Sequence, residues 1–300
     1  MAIKRVQILD LDGSLADPSS NLPAKFERIA AQDWGPQIRL ACTFGRFNRF
    51  QGWLSESMPQ TGPALTAYGS GDFHHVTLAL LMRIREPFNL MILDKHPDWM
   101  RGIPFLHCGT WLWHALQLPM LRHVFHCGGE ADFDNGYRWL APWSDIKSGR
   151  VVCLPAQRKF SRGGWASVPG TPLLQDGLVH KDRLRETLEP FRAELAAYPL
   201  YISIDKDVLV VDDAVTNWDS GVLRTADAMT ILEAFLEAAG GRMIGADSLG
   251  DWSPVRLDGW LNRLCDWFDR RHRRINPIAA AETNAATNAA LCRVLLSSSA

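Results

Sequence analysis

The sequence has little of what marks several large protein classes. Charge of one sign is missing: 32 Lys and Arg stand against 33 Asp and Glu, a formal net charge of −1. That balance offers no basic surface for nucleic acid and no polybasic membrane anchor. No apolar run approaches the roughly 20 residues that span a bilayer. The six cysteines (Cys42, Cys108, Cys127, Cys153, Cys265, Cys292) form no CxxC pair and no other zinc-like spacing. In a chain of this length they read as thiols of a reducing compartment, not as a disulfide framework. The opening MAIKRVQILDLDG has no apolar h-region or small-residue cleavage site, so a cytoplasmic location is expected. Internal repeats and linker-like stretches are absent as well.

What is present is a core. With 300 residues and 47% hydrophobic content the chain can bury a large apolar interior. Short β-rich runs at 5–11, 64–68, 89–94, 123–126, 151–154, 200–205 and 242–247 alternate with helix-patterned stretches at 75–85, 109–117, 181–197, 225–239 and 257–271. That alternation predicts an α/β fold with a mostly parallel sheet and helices on its faces. Residues 1–274 read as one domain, and the Ala-, Asn-, Thr- and Ser-rich 275–300 as a helix or flexible tail. The stretch 157–177, with Arg158, Lys159, Arg162, Gly163 and Gly164, reads as a long loop or lid.

Three segments carry chemistry, each at the C-terminal end of a predicted strand, where open parallel sheets bind their ligands. The first is Asp94-Lys-His96-Pro-Asp98. Spacing by two puts its carboxylate, imidazole and carboxylate on one side of an extended backbone. Taken alone it also suits a polar turn after a strand. The second is Ser203-Ile-Asp205-Lys-Asp207. Two carboxylates ending an apolar strand repel one another and resist burial unless a cation or proton intervenes. A solvated strand end is the plainer alternative. The third is Gly69-Ser-Gly71-Asp72-Phe-His74-His75, where one of two histidines supplies a further imidazole. A histidine at a helix start is ordinarily only a cap or surface residue. Together the segments offer two imidazoles and four carboxylates, more than one metal needs. The set suits two divalent ions, Mn²⁺ first, with Fe²⁺, Co²⁺ or Zn²⁺ as alternatives.

The order Gly-x-x-His, Asp-x-His-x-Asp, Ser-x-Asp-x-Asp resembles the ureohydrolase superfamily of arginase, agmatinase and formiminoglutamase, over roughly residues 64 to 255. The resemblance implies a three-layer arginase-like α/β fold and a binuclear manganese site. Its ligands would be one of His74 and His75, with Asp94, His96, Asp98, Asp205 and Asp207. It further implies a proton-shuttling role for His107, and a guanidinium partner in Asp251 or, less directly, Asp247. The implied reaction is hydrolysis of a C–N bond, other than a peptide bond, in a guanidino or amidino compound by a metal-bridging hydroxide. Asp98 would pass a proton to the leaving amine. The partner is then a small-molecule substrate, and homo-oligomers are common among such enzymes.

The sequence departs from the family at several points. An extra residue precedes the histidines, the segment after Asp207 lacks the usual Pro and Gly, and Trp99-Met100 replaces the arginine-recognising loop. Trp99, Trp111, Trp218 and Trp252 all lie beside the motifs, which suggests an aromatic-walled pocket or ordinary packing. A rival signature, Asp10-Leu-Asp12-Gly13-Ser14, resembles haloacid-dehalogenase-type Mg²⁺-dependent phosphatases, with Asp10 as nucleophile and Asp12 as acid/base. It leaves the later motifs unexplained. A deacetylase-like amidohydrolase on the same fold would need only one metal, and a silent relative would be expected to have lost part of the ligand set.

Overall fold

The computed structural model describes residues 3–16, 24–58, 62–133, 136–160, 165–269 and 275–297. Its centre is an eight-stranded, wholly parallel sheet. The strands are β1 (Arg5–Asp10), β2 (Lys25–Ala30), β3 (Leu65–Ala67), β4 (Phe88–Leu93), β5 (Leu121–Gly128), β6 (Val151–Pro155), β7 (Leu200–Asp205) and β8 (Met243–Leu249). Their order across the sheet is β2-β1-β3-β8-β7-β4-β5-β6. All seven strand positions expected from the sequence are occupied, with ends shifted by a few residues. β2 is the addition. It is an edge strand with five of its six residues exposed, so it carries no alternating pattern to read.

β4 and β7 are buried along their whole length and sit side by side near the middle. A strand covered on both faces is a continuous apolar run, and FNLMIL is one. Alternate residues feed two cores. Leu90 and Ile92 join Tyr68, Trp111 and Val124 on one side; Met91 and Leu93 join Phe125, Ile202 and Ile204 on the other. Helices α1 (Phe44–Ser57), α2 (Val76–Leu81) and α3 (Trp111–Ala115) cover the first face. Helices α4 (Lys181–Leu188), α5 (Arg192–Ala197), α6 (Thr225–Ala238) and, beyond a further helix α7 (Trp260–Asp269), α8 (Pro277–Ser297) form the second layer.

Three helical expectations change in detail. The stretch 181–197 is not one helix: Pro190 lacks the N–H that would continue it, and a 3₁₀ turn at Glu189–Phe191 separates α4 from α5. α1 was absent from the sequence reading, although Phe47, Phe50 and Leu54 mark one buried face at helical spacing. The region from residue 277 is a 21-residue helix, with Leu291, Val294 and Leu295 buried against α6 and the sheet. Among the described residues no helix is long and apolar enough to cross a membrane, and all six cysteines are buried free thiols.

Candidate metal centre

The C-terminal ends of β4 and β7 are neighbours, and the chain leaving each delivers a pair of carboxylates to the same place. Asp94 follows β4, while Asp205 ends β7 with Asp207 in the 3₁₀ turn after it. The glycine loop after β3 packs over them. A Cβ on Gly71 would come within 2.8 Å of Asp205 Oδ2, so only glycine lets the loop lie this close. That loop then turns His74 inward. Its Nδ1 lies 3.1 Å from Asp94 Oδ2, 2.9 Å from Asp98 Oδ2 and 3.6 Å from Asp205 Oδ2. His75 points elsewhere, with its ring beside Phe47, and burial drives its pKa down to about 3. The choice left open by the sequence therefore falls to His74.

Hydrogen bonds fix the His74 ring. Ser203 Oγ donates to Asp247 Oδ1 at 2.7 Å, so it accepts from His74 Nε2 at 3.2 Å. Nδ1 is left facing the carboxylates. His74 Nδ1 and Asp94 Oδ2 are buried and make no hydrogen bond. A ring nitrogen and a carboxylate oxygen brought together in this way form a place that a proton or a cation can fill.

Five of the expected ligands fall into two compact groups, His74/Asp94/Asp98 and Asp94/His96/Asp207, in each of which the atoms lie within 4.8 Å of one another; Asp205 belongs to neither, its Oδ2 lying 3.6 Å from His74 Nδ1. Asp94 belongs to both. His96 Nδ1 is 2.8 Å from Asp207 Oδ2, and its backbone is held by Asp94 Oδ1 at 2.7 Å and by His126 Nε2 at 3.0 Å. Asp98 has φ = 50°, a left-handed conformation unusual for a non-glycine residue, and Trp111 Nε1 donates to its Oδ2 at 2.8 Å.

The charge state follows from crowding. Burial, then the nearby Asp98 charge, lifts Asp94 to about 6, and burial with the Asp207 charge lifts Asp205 to about 7. Asp207 rises to about 6 by burial, against the pull of His96. Burial lowers the imidazoles, but Asp94 and Asp98 around His74, and Asp207 beside His96, outweigh it and hold both well above their ordinary value. Protons here do the work a cation would do better. The donor set of buried carboxylates and imidazoles fits divalent first-row ions.

The centre opens into a cavity of about 260 Å³. Its walls include Met100, Phe133, Tyr137, Trp218, Glu130, and His107 with Asp269. Of the four tryptophans singled out by position, only Trp218 lines it. Trp111 serves Asp98 from behind, Trp99 is buried, and Phe133 and Tyr137 complete the aromatic wall.

No family model matches the chain. An uncharacterised protein of Thermotoga maritima is 27% identical over 193 residues, 64% of this chain and 60% of that one, so the chain spans well under two thirds of that relative's length. Solved structures align over nearly the whole chain. Agmatine ureohydrolase of Thermoplasma volcanium covers 99% of this chain and 90% of its own, with a TM-score of 0.57 at 13% identity. Arginase from Bacillus subtilis covers 96% and 98%, with a TM-score of 0.57 at 14% identity. Proclavaminate amidino hydrolase from Streptomyces clavuligerus covers 96% and 93%, with a TM-score of 0.53 at 16% identity.

The chain has the arginase fold.

On the arginase fold's sheet edge, two expected residues are placed away from the cavity. Asp251 is buried on the far side, bound to Lys206 Nζ at 2.5 Å and to Asn288 Nδ2 at 3.1 Å beside α8. Gly250, with φ = 97°, turns it there, and a Cβ at Gly250 would meet Asp205 Oδ1 at 2.6 Å. Asp247 is fully buried beneath the centre among hydroxyls, accepting from Tyr201 at 2.8 Å and from Ser203. Neither lines the cavity at the centre. Asp247 instead orients His74 through Ser203.

His107 does line the cavity. Gly109 N–H donates to its Nδ1 at 3.0 Å, which leaves the proton on Nε2, 2.9 Å from Asp269 Oδ2 at the end of α7. The sequence reading missed Asp269, which is 162 residues away from its partner. The phosphatase signature is taken up by the frame. Asp10 Oδ2 is held by Arg28 at 2.8 Å and Gln32 at 2.7 Å. Asp12 caps the glycine loop through Ser70 N–H at 3.1 Å and Ser253 Oγ at 2.6 Å. The expected lid is tied down by Asp132, which accepts from Arg158 at 2.6 Å and Lys159 N–H at 2.7 Å; Arg162, Gly163 and Gly164 lie outside the described residues.

Proposed function

We propose that this chain is a divergent ureohydrolase, a binuclear-metal hydrolase that cleaves a C–N bond of a guanidino or amidino compound. The observation that carries the reading is that Asp94 is shared by two ligand groups, one wholly buried and one in which only His96 is partly exposed. A one-metal deacetylase-like site would leave the second group, with His96 and Asp207, without a purpose. His74, Asp94, Asp98, His96, Asp205 and Asp207 would hold the ions, with Mn²⁺ the first expectation for this oxygen-rich set. Divalent cations held there supply Lewis-acid polarisation and a nucleophilic water near neutral pH.

The chain's own residues do the rest. Asp247 and Ser203 keep His74 in the tautomer that presents Nδ1. Trp111 keeps Asp98 in place through Oδ2, so that Oδ1 is open to take a proton and return it to the leaving amine. His107 Nε2–H donates to Asp269, whose side chain is 38% exposed, which fixes the imidazole in the cavity wall and links it to solvent. Phe133, Tyr137 and Trp218 wall off bulk water from the planar group under attack.

The test is to purify the protein without chelator, count its metals and assay urea or ammonia release from guanidino compounds with Mn²⁺. Two ions per chain, with metal and activity lost together in Asp205→Ala, is the expected result. Full activity in Asp205→Ala would sink the reading. So would a metal-free protein that hydrolyses phosphate esters with Mg²⁺ and dies on Asp10→Asn.

A further inference from the structure

Resting on the hydrolase reading, one question stays open: which carboxylate receives the positive charge of the substrate. The residue expected in that role, Asp251, faces away and is already paired with Lys206. No side chain can replace it from position 250, because a Cβ there would strike Asp205 Oδ1. Among the described residues lining the cavity there are six carboxylates. Asp94, Asp98, Asp205 and Asp207 belong to the metal centre, and Asp269 is paired with His107.

The sixth is Glu130, whose side chain has neither an ion pair nor a hydrogen bond. It is half-buried. Its N–H donates to Lys95 O at 2.9 Å, which ties it beside the residue lying between Asp94 and His96. The two residues before it are glycines for a steric reason. At Gly128, with φ = 85°, a Cβ would lie 2.4 Å from Val208 and 3.6 Å from Asp94 O; at Gly129 it would lie 2.4 Å from the His126 ring and 3.5 Å from Asp94 O. The chain therefore crosses tightly over Asp94 and sets down Glu130 in the wall of the cavity that Phe133 also lines. No Lys or Arg is among the described lining residues to neutralise it.

We infer that Glu130 is the carboxylate that binds the cationic guanidinium or amidinium of the substrate, in place of the acid that the fold's far strand would otherwise provide. A half-buried carboxylate with no partner beside aromatic faces is a site for a planar cation, since charge-assisted hydrogen bonds form there with little competition from water.

The test compares methylguanidinium with its neutral isostere methylurea, by calorimetry on the Mn²⁺-loaded protein. The wild type is expected to prefer the cation. Glu130→Gln should weaken methylguanidinium about 10- to 100-fold, the span of one or two charge-assisted bonds, and leave methylurea unchanged. Metal content and melting temperature should not move, and Glu130→Asp should keep part of the preference. Equal loss for both ligands, no loss for either, or release of a metal ion in Glu130→Gln would overturn the assignment. Should the wild type prefer the cation without hydrolysing any guanidino compound, the hydrolase reading fails and the Glu130 assignment stands. Should it show no preference while releasing urea, the reverse holds.

Discussion

Lys206 stands between Asp205 and Asp207 in sequence, yet its ammonium group is fully buried on the other side of the sheet edge. There it meets Asp251 Oδ2 at 2.5 Å and Asn288 Oδ1 at 2.6 Å. The 3₁₀ turn that follows β7 makes the split: the flanking carboxylates turn to the cavity and the lysine turns to α8. Removing one member of a buried pair strands the other charge, so Lys206→Ala should cost about 3–5 kcal/mol in denaturant unfolding. The double variant Lys206→Met with Asp251→Leu should recover much of that loss, because replacing both charges by apolar groups is often near neutral. An unchanged midpoint in Lys206→Ala would show that the pair holds nothing. At this scale the Asp-x-His-x-Asp and Asp-x-Asp clusters were legible as candidate ligands, because their types and spacing already suggest that chemistry. Glu130 and Asp269 were not: one follows an unremarkable Gly-Gly, and the other gains meaning only from contact with His107.

The turns after the strands decide the site as elements, and glycine decides the turns. Gly250 after β8 has φ = 97°, and its missing Cβ leaves room for Asp205 Oδ1 and the Lys206 N–H. Gly250→Ala combines a left-handed backbone with a clash against a metal ligand. Strain of this kind costs about 1–3 kcal/mol. The expected outcome is therefore weaker metal retention on dialysis, and a melting temperature that excess Mn²⁺ partly restores. Retention equal to the wild type would mean that Asp205 can move without loss. The sequence could show that Gly-x-Gly precedes the histidines, but not which glycine gives way to which atom. β2 was hidden because an exposed edge strand has no buried face to generate a pattern, whereas α1 carried its signal in Phe47, Phe50 and Leu54.

For the molecule as a whole, the centre couples folding, protons and metal. Asp94, Asp205 and Asp207 titrate at about 6, 7 and 6 in the metal-free chain, and His74 and His96 are raised as well. A group whose pKa is raised on folding adds stability below its unfolded value and loses it as pH rises through the folded one. These five groups therefore favour the metal-free fold less at pH 8 than at pH 5. Metal removes the penalty by taking the place of the protons. Calorimetric titration with Mn²⁺ should release protons between pH 6 and 7, with affinity rising across that window; buffer-independent heats would contradict this. The sequence alone determined the α/β class, because alternating apolar runs of strand and helix length admit few other arrangements. It also singled out the side chains that gather at the sheet edge, because carboxylates spaced by two at the end of an apolar strand resist burial without a cation or a proton. Only tertiary structure decided which histidine turns inward, that Asp251 pairs with Lys206, and that Glu130 lines the cavity. Those outcomes depend on where separate strands end beside one another and on which side each turn leaves the sheet, and no local pattern encodes either.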